Sequence, residues 1–287
     1  MICYWFVTHK SHARGRVCAY ASCRTLFLTF GNHARRFTGQ TVRTNFMATA
    51  DVSTESLETG VPGFDRALDG GLPARRLYVL CGPPGSGKTT FSSRFIATGA
   101  ANGERCLFVT MHETVDQLIA DMSQYDFGFA QAAETDQVEF INVVEGSERN
   151  PLTKAMRKHS GSSVNQLTNR LTTYIESRDI DRVVIDSTMV LEYLLSGTDT
   201  DLVPFVTKLK HVDATVLLIA EMTDPTAYAP EHYLAHGVIF FHNFLEDEGM
   251  RRGLQILKMR GVPISADIRP LTFTPKGIQI DAEATSP

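Results

Sequence analysis

An α/β fold, with a mostly parallel central sheet flanked by helices and an antiparallel meander at its C-terminal end, is what this sequence predicts. Three observations carry that prediction. Short, wholly apolar runs alternate with helix-period segments over most of the chain, as buried parallel strands joined by crossover helices do. A glycine- and proline-rich turn follows one of these runs and opens a helix. Beyond residue 237 the segments read as strands with no helix between them.

The elements follow in order. The apolar run 77–81 leads through the Gly/Pro turn into a helical pattern over 88–101, a strand, loop and helix. A second run, 106–111, precedes a helix over 114–125, and 138–144 reads as a third strand. Residues 145–163 are rich in Ser, Gly, Asn and Lys/Arg with little apolar pattern, which predicts a surface loop leading into a helix over 164–178. The continuous apolar runs 182–186 (RVVID) and 214–220 (ATVLLIA) read as central strands separated by a helix over 201–211, so the sheet has at least five strands. The meander comprises 238–242, 253–260, 271–274 and 277–280. No internal repeat is visible.

At 287 residues the chain suits one α/β core with a short appendage. No stretch approaches the roughly 20 apolar residues of a membrane span. The net charge of −4 conceals a split. Residues 1–46 carry seven Lys/Arg and no Asp or Glu, which leaves 21 basic and 32 acidic residues from Met47 onward. Such an acidic body suits a high-salt cytoplasm or a solvated, self-repelling surface. The basic segment, with Trp5 and three of the five cysteines, reads either as a transit peptide or as an extension upstream of a true start at Met47. Met-Ala-Thr-Ala-Asp leading directly into the acidic body favours the second, so the domains are 1–46, a basic extension, and 47–287, the folded domain. Cys18, Cys23, Cys81 and Cys106 match neither a zinc pattern nor a disulfide framework, as expected of thiols in a reducing cytoplasm.

The strongest chemical signal is Gly82-Pro83-Pro84-Gly85-Ser86-Gly87-Lys88-Thr89, followed by Thr90, a G-x-x-x-x-G-K-[ST] motif between a strand and a helix start. Its glycines allow backbone N–H groups to curl round phosphates, and the helix N-terminus adds positive potential. Lys88 would reach the β- and γ-phosphates of ATP, and the Thr89 hydroxyl would ligate Mg²⁺. Asp186 ends an apolar strand, where a carboxylate is costly unless it faces a ligand or ion, so it reads as the Walker B aspartate holding Mg²⁺.

These motifs lie in a wider pattern. Thr59-Gly60-Val61-Pro62-Gly63-Phe64-Asp65 with Gly70-Gly71-Leu72-Pro73, then Val109-Thr110-Met111-His112-Glu113-Thr114, Ile185-Asp186-Ser187 and Lys258-Met259-Arg260-Gly261, resemble the signatures of the KaiC group within the RecA/RadA superfamily. The likeness runs from about residue 56 to 281. It implies a RecA-like ATPase that assembles as a homo-oligomeric ring, commonly a hexamer, with ATP between neighbours. Lys258 and Arg260 would then reach the γ-phosphate bound by the next subunit, neutralising charge in the transition state. Two apart on a strand, they also fit a shared, exposed edge face.

One departure bears on chemistry. Where that group carries two adjacent glutamates, this chain has His112 and Glu113, and the first position is the one usually assigned to polarise the attacking water. Either Glu113 takes the role or His112 acts as a weaker base, which predicts slow turnover. Glu221 resembles the group's carboxylate after its fifth core strand, and His236 stands where an Asp is frequent.

A recombinase would need basic DNA loops, yet 211–250 contains no Lys or Arg and seven carboxylates. Nucleic acid is therefore an unfavoured partner, and the small cluster Lys154, Arg157 and Lys158 reads as a solvated loop. Two functions stand first: a regulatory ATPase serving a protein signalling partner, and a module that binds ATP with little hydrolysis.

Overall fold

The computed structural model describes residues 55–142, 164–188, 202–247 and 249–281. The basic segment 1–46, the expected loop 145–163 and the cluster within it lie outside these residues. A two-stranded sheet comes first, β1 (Ser56–Leu57) against β2 (Leu72–Pro73), enclosing the short helix α1 (Phe64–Ala67). A nine-stranded sheet dominates the rest. Its elements are β3 (Leu77–Gly82), α2 (Lys88–Ala101), β4 (Cys106–Thr110), α3 (Val115–Met122), α4 (Phe129–Ala133), β5 (Val138–Asn142), α5 (Val164–Ser177), β6 (Arg182–Asp186), α6 (Val203–Leu209), β7 (Thr215–Glu221), α7 (Pro230–Leu234), β8 (Gly237–Glu246), β9 (Gly249–Met259), β10 (Arg269–Thr274) and β11 (Gly277–Ile280).

The strand order is β11-β10-β9-β8-β3-β7-β6-β4-β5. From β5 to β3 all pairings are parallel, and β8 joins them, pairing parallel with β3 and antiparallel with β9. The strand that opens the meander therefore belongs to both halves of the sheet. A continuous apolar run, VIFF, marks that double burial in the sequence.

Alternation along the central strands explains the layering. Leu77, Val79 and Cys81 of β3 and Val183 and Ile185 of β6 face one core, with Leu171 and Ile175 of α5 and Phe205 and Val206 of α6. Tyr78, Leu80 and Val184 face the other, with Phe91 and Phe95 of α2, Leu118 of α3 and Phe129 of α4. Phe91 meets Phe64 and Phe241 edge to face, with centroids 5.1 and 5.7 Å away. Burying such a ring contributes about 1.5–3 kcal/mol. Arg182, wholly buried at the start of β6, pairs with Glu104, donates to the carbonyls of Glu58 (2.8 Å) and Phe95 (2.9 Å) and covers the Phe95 ring. A buried guanidinium persists only when satisfied in this way.

Within the helix expected over 114–125, Thr114 is the N-cap of the shorter α3, its hydroxyl accepting from Gln117 N while Gln117 Oε1 accepts from Thr114 N. Helix α4, with five residues, is too short to show a period and was not predicted. The strands β8 and β9 extend beyond their expected ends into a long hairpin whose outer residues are exposed, so no apolar pattern announces them.

Candidate functional site

The G-x-x-x-x-G-K-T segment joins β3 to α2, at the carboxyl edge of the parallel strands. Gly82 has φ 145°, and a Cβ there would stand 2.3 Å from Phe241 O on β8. Gly87 caps α2 with φ 107°, where a Cβ would meet Ile278 and Phe273 at 2.9 and 3.0 Å. Both backbone positions require glycine. The Pro84 carbonyl accepts from Asn243 (3.3 Å) and that of Gly85 from Arg252 (3.1 Å), so the β8–β9 hairpin braces the loop from outside. Arg252 also lies over Phe273 of β10. Nothing in the sequence marks Asn243, Arg252 or Phe273, because each joins the site from more than 150 residues away.

Six side chains converge on the same edge. Lys88, largely buried, donates to the carbonyls of Gly82 (2.6 Å) and Pro83 (3.0 Å), and its amine lies 3.8 Å from Glu221 Oε1. The pairing of β3 with β7 sets Glu221 opposite Gly82. Burial lowers the Lys88 pKa, opposed by Glu221 and Asp186. The Thr89 hydroxyl donates to Asp186 Oδ2 at 2.8 Å. Asp186 is 2% exposed at the end of β6, and burial raises its pKa against the pull of His112, Thr89 and Lys88.

The β4–β6 register, with Thr110 opposite Asp186, brings the β4 end alongside. His112 stands between two carboxylates, Nδ1 3.8 Å from Asp186 Oδ1 and Nε2 3.7 Å from Glu113 Oε1. The Glu113 carbonyl accepts from Thr110 Oγ1 (3.0 Å) and Asn142 Nδ2 (3.2 Å), which fixes its backbone. Burial raises the Glu113 pKa, with His112 opposing. Thr90 is buried on α2 behind Thr89.

This set fits a nucleotide and a hard cation. The Ser86 hydroxyl is buried without a hydrogen-bond partner among the described residues, inside a loop where a Cβ on Gly85 would meet nothing within 4 Å. Thr89 and Asp186 present an all-oxygen donor pair, the chemistry Mg²⁺ prefers when phosphates complete its shell.

Lys258 and Arg260 are elsewhere. Lys258 pairs with Val238, which pairs with Val79, three residues short of Gly82 or about 10 Å along the strand. Its amine donates to the carbonyls of His232 (3.0 Å) and Tyr233 (2.8 Å), and Arg260 donates to Tyr233 O (3.1 Å). They thus occupy the amino edge of the parallel strands, away from their own chain's Lys88.

Beyond geometry, a family model described as "ATPase: KaiC" matches residues 57–285. The chain belongs to the KaiC family. Circadian clock protein KaiC3 of Synechocystis sp. is 30% identical over 79% of the chain, and the clock oscillator protein KaiC of Synechococcus elongatus 29% over 78%. This KaiC-family chain matches 45% and 44% of their respective lengths, so it spans about half of each. UPF0273 protein MK0039 of Methanopyrus kandleri is 28% identical and matched over 94% of its own length. Among solved structures, the KaiC-like protein PH0186 of Pyrococcus horikoshii superposes with a TM-score of 0.65 at 25% identity, over 79% of this chain and 99% of that one. The fold is thus the RecA-like fold of single-domain KaiC relatives. No helix among the described residues is long and apolar enough to cross a membrane.

Proposed function

We propose that this chain is a regulatory ATPase that binds ATP with Mg²⁺ on residues 82–90, hydrolyses it slowly and signals to a protein partner as a homo-oligomeric ring, hexameric by preference. The observation that carries the reading is the 2.8 Å Thr89–Asp186 bond beside Lys88 at the start of α2.

Backbone N–H groups of Gly82, Pro84's successor Gly85, Ser86 and Gly87 would receive the phosphates, with Pro83 and Pro84 stiffening the turn. Lys88 would exchange its two carbonyl partners for β- and γ-phosphate oxygens. Thr89 and Asp186 would hold Mg²⁺, which supplies positive charge to the phosphate oxygens. Thr90 would support Thr89 from within the helix. Glu113, whose proton affinity burial raises, would take the proton of the attacking water. His112 would hold Glu113 and Asp186 in place or act as a weaker base.

Lys258 and Arg260 lie at the opposite edge of the sheet, which supports their delivery to the nucleotide of a neighbouring copy, where a cation stabilises the transition state. The acidic stretch 211–250 favours a protein partner over nucleic acid. A cytoplasmic setting suits Cys81 and Cys106, buried thiols whose pKa burial pushes up to about 12. The clock proteins among its relatives favour a regulatory use.

A second reading, an ATP-binding sensor that barely hydrolyses, is favoured by His112, which occupies the position between both carboxylates. Phosphate release from Mg²⁺-ATP by the full chain decides between them. Lys88→Ala should abolish release, and Glu113→Gln should lower it by about 10²-fold. Stable ATP binding with no release from the unaltered chain would leave the sensor.

A further inference from the structure

Arg260 is held at both of its backbone groups. Its N–H donates to the His236 carbonyl at 2.8 Å, and its carbonyl accepts from the Arg76 guanidinium at 2.6 Å. The next residue, Gly261, turns with φ 80°, and a Cβ there would lie 3.6 Å from the same guanidinium. His236 is itself pinned to Leu77, the neighbour of Arg76: its N–H donates to Leu77 O at 2.8 Å and its Nδ1 accepts from Leu77 N at 3.1 Å. Arg76 in turn is tied to β7, its carbonyl accepting from Val216 N at 2.9 Å. The end of β9 is therefore locked to the start of β3, the strand that carries the phosphate loop at its other end.

The charge at this edge is unusual for a purely structural brace. Arg76 before β3, Lys210 after α6, and Lys258 and Arg260 at the end of β9 come from three separate stretches of the chain, and none pairs with a carboxylate within 4 Å among the described residues. Burial and then Arg260 and Lys210 push the Lys258 pKa down to about 8. Burial and then Lys210, Arg76 and Arg260 push that of His236 down to about 4. A neutral donor would make the bond to Arg260 O without adding to this repulsion. A cation is the better choice where the edge is to receive a polyanion.

We propose that Arg76 is the positioning residue for Arg260: its guanidinium fixes the Arg260–Gly261 turn, so that Arg260 and Lys258 meet the phosphates of the nucleotide held by a neighbouring copy, and its charge adds to the field there. This rests on the reading of Lys258 and Arg260 as groups delivered between copies.

The test mixes full-length variants. Arg76→Ala alone should lower phosphate release from Mg²⁺-ATP roughly 10- to 100-fold, as a misplaced catalytic group does, with the same melting temperature and assembly size. Arg76→Lys, which keeps charge and donor, should recover most of it. Mixing Arg76→Ala with inactive Lys88→Ala should restore release, counted per Arg76→Ala copy, in proportion to the fraction of Lys88→Ala copies, since these present an intact Arg76–Arg260 edge to their neighbours. The same mixture read by dissociation of a fluorescent ATP analogue, slower than from Arg76→Ala alone, carries the test if hydrolysis is below detection. If Arg260→Ala is complemented by Lys88→Ala and Arg76→Ala is not, the role of Arg76 is overturned. If neither is complemented, delivery between copies fails and the positioning role with it.

Discussion

The two edges of the parallel sheet are built from the same strands, yet the carboxyl edge and the part of the amino edge where β3 meets β9 satisfy their charges differently. At the carboxyl edge, Lys88, Thr89, Asp186, His112, Glu113 and Glu221 meet one another within 4 Å, cation beside carboxylate and hydroxyl beside carboxylate. At the amino edge, Lys258 and Arg260 find only carbonyls, and Arg76 a carbonyl as well. The groups of the first edge are partnered with one another and gain a ligand by exchanging those partners. Where β3 meets β9, the second carries Arg76, Lys258 and Arg260 with no carboxylate within 4 Å among the described residues, which supports the proposal that this surface serves another molecule.

The largest break in this comparison is expected from Arg260→Ala. If the amino edge serves the neighbouring nucleotide, phosphate release falls by about 10³-fold while ATP is still retained at Lys88, measured by steady-state release beside equilibrium ATP binding. A loss confined to thermal stability would make the amino edge structural. Next comes Gly87→Ala at the carboxyl edge, where φ 107° and the Ile278 and Phe273 contacts oppose a Cβ. ATP binding should weaken roughly 10-fold or more through backbone strain, read by calorimetric titration, with the amino edge unaffected.

The smallest effect concerns pH. His236 has its folded pKa lowered to about 4 from 6.5, so between those values the unfolded chain binds a proton that the folded chain excludes. The stability this neutral imidazole contributes is complete above pH 6.5 and is lost as pH falls toward 4. His236→Asn, which keeps an acceptor for Leu77 N–H and does not titrate, should flatten that part of the melting temperature against pH profile. An unchanged slope would remove His236 from the amino-edge lock.

How much of this was legible differs by edge. At the carboxyl edge the side chains that the structure brings together stand out in the sequence, because they sit at strand ends within short motifs: a glycine spacing before Lys88 and Thr89, a carboxylate closing an apolar run at Asp186, and His112-Glu113 after β4. Asn243 and Arg252 escaped, since their bonds to Pro84 and Gly85 depend on how far the β8–β9 hairpin extends. At the amino edge, Lys258 and Arg260 were named by resemblance, but Arg76 was not. It reads as one more charge beside an apolar strand.

By itself the sequence determined the alternation of strands and helices, the glycine-rich turn between β3 and α2 and the identity of the charged strand ends, because period, glycine placement and the cost of a carboxylate in an apolar run are local properties. The tertiary structure alone decided that β8 pairs parallel with β3, that His112 falls between Asp186 and Glu113, and that Arg76 and His236 hold Arg260. Those are matters of register and strand order, where residues far apart in the chain become neighbours only after the sheet has closed around its core.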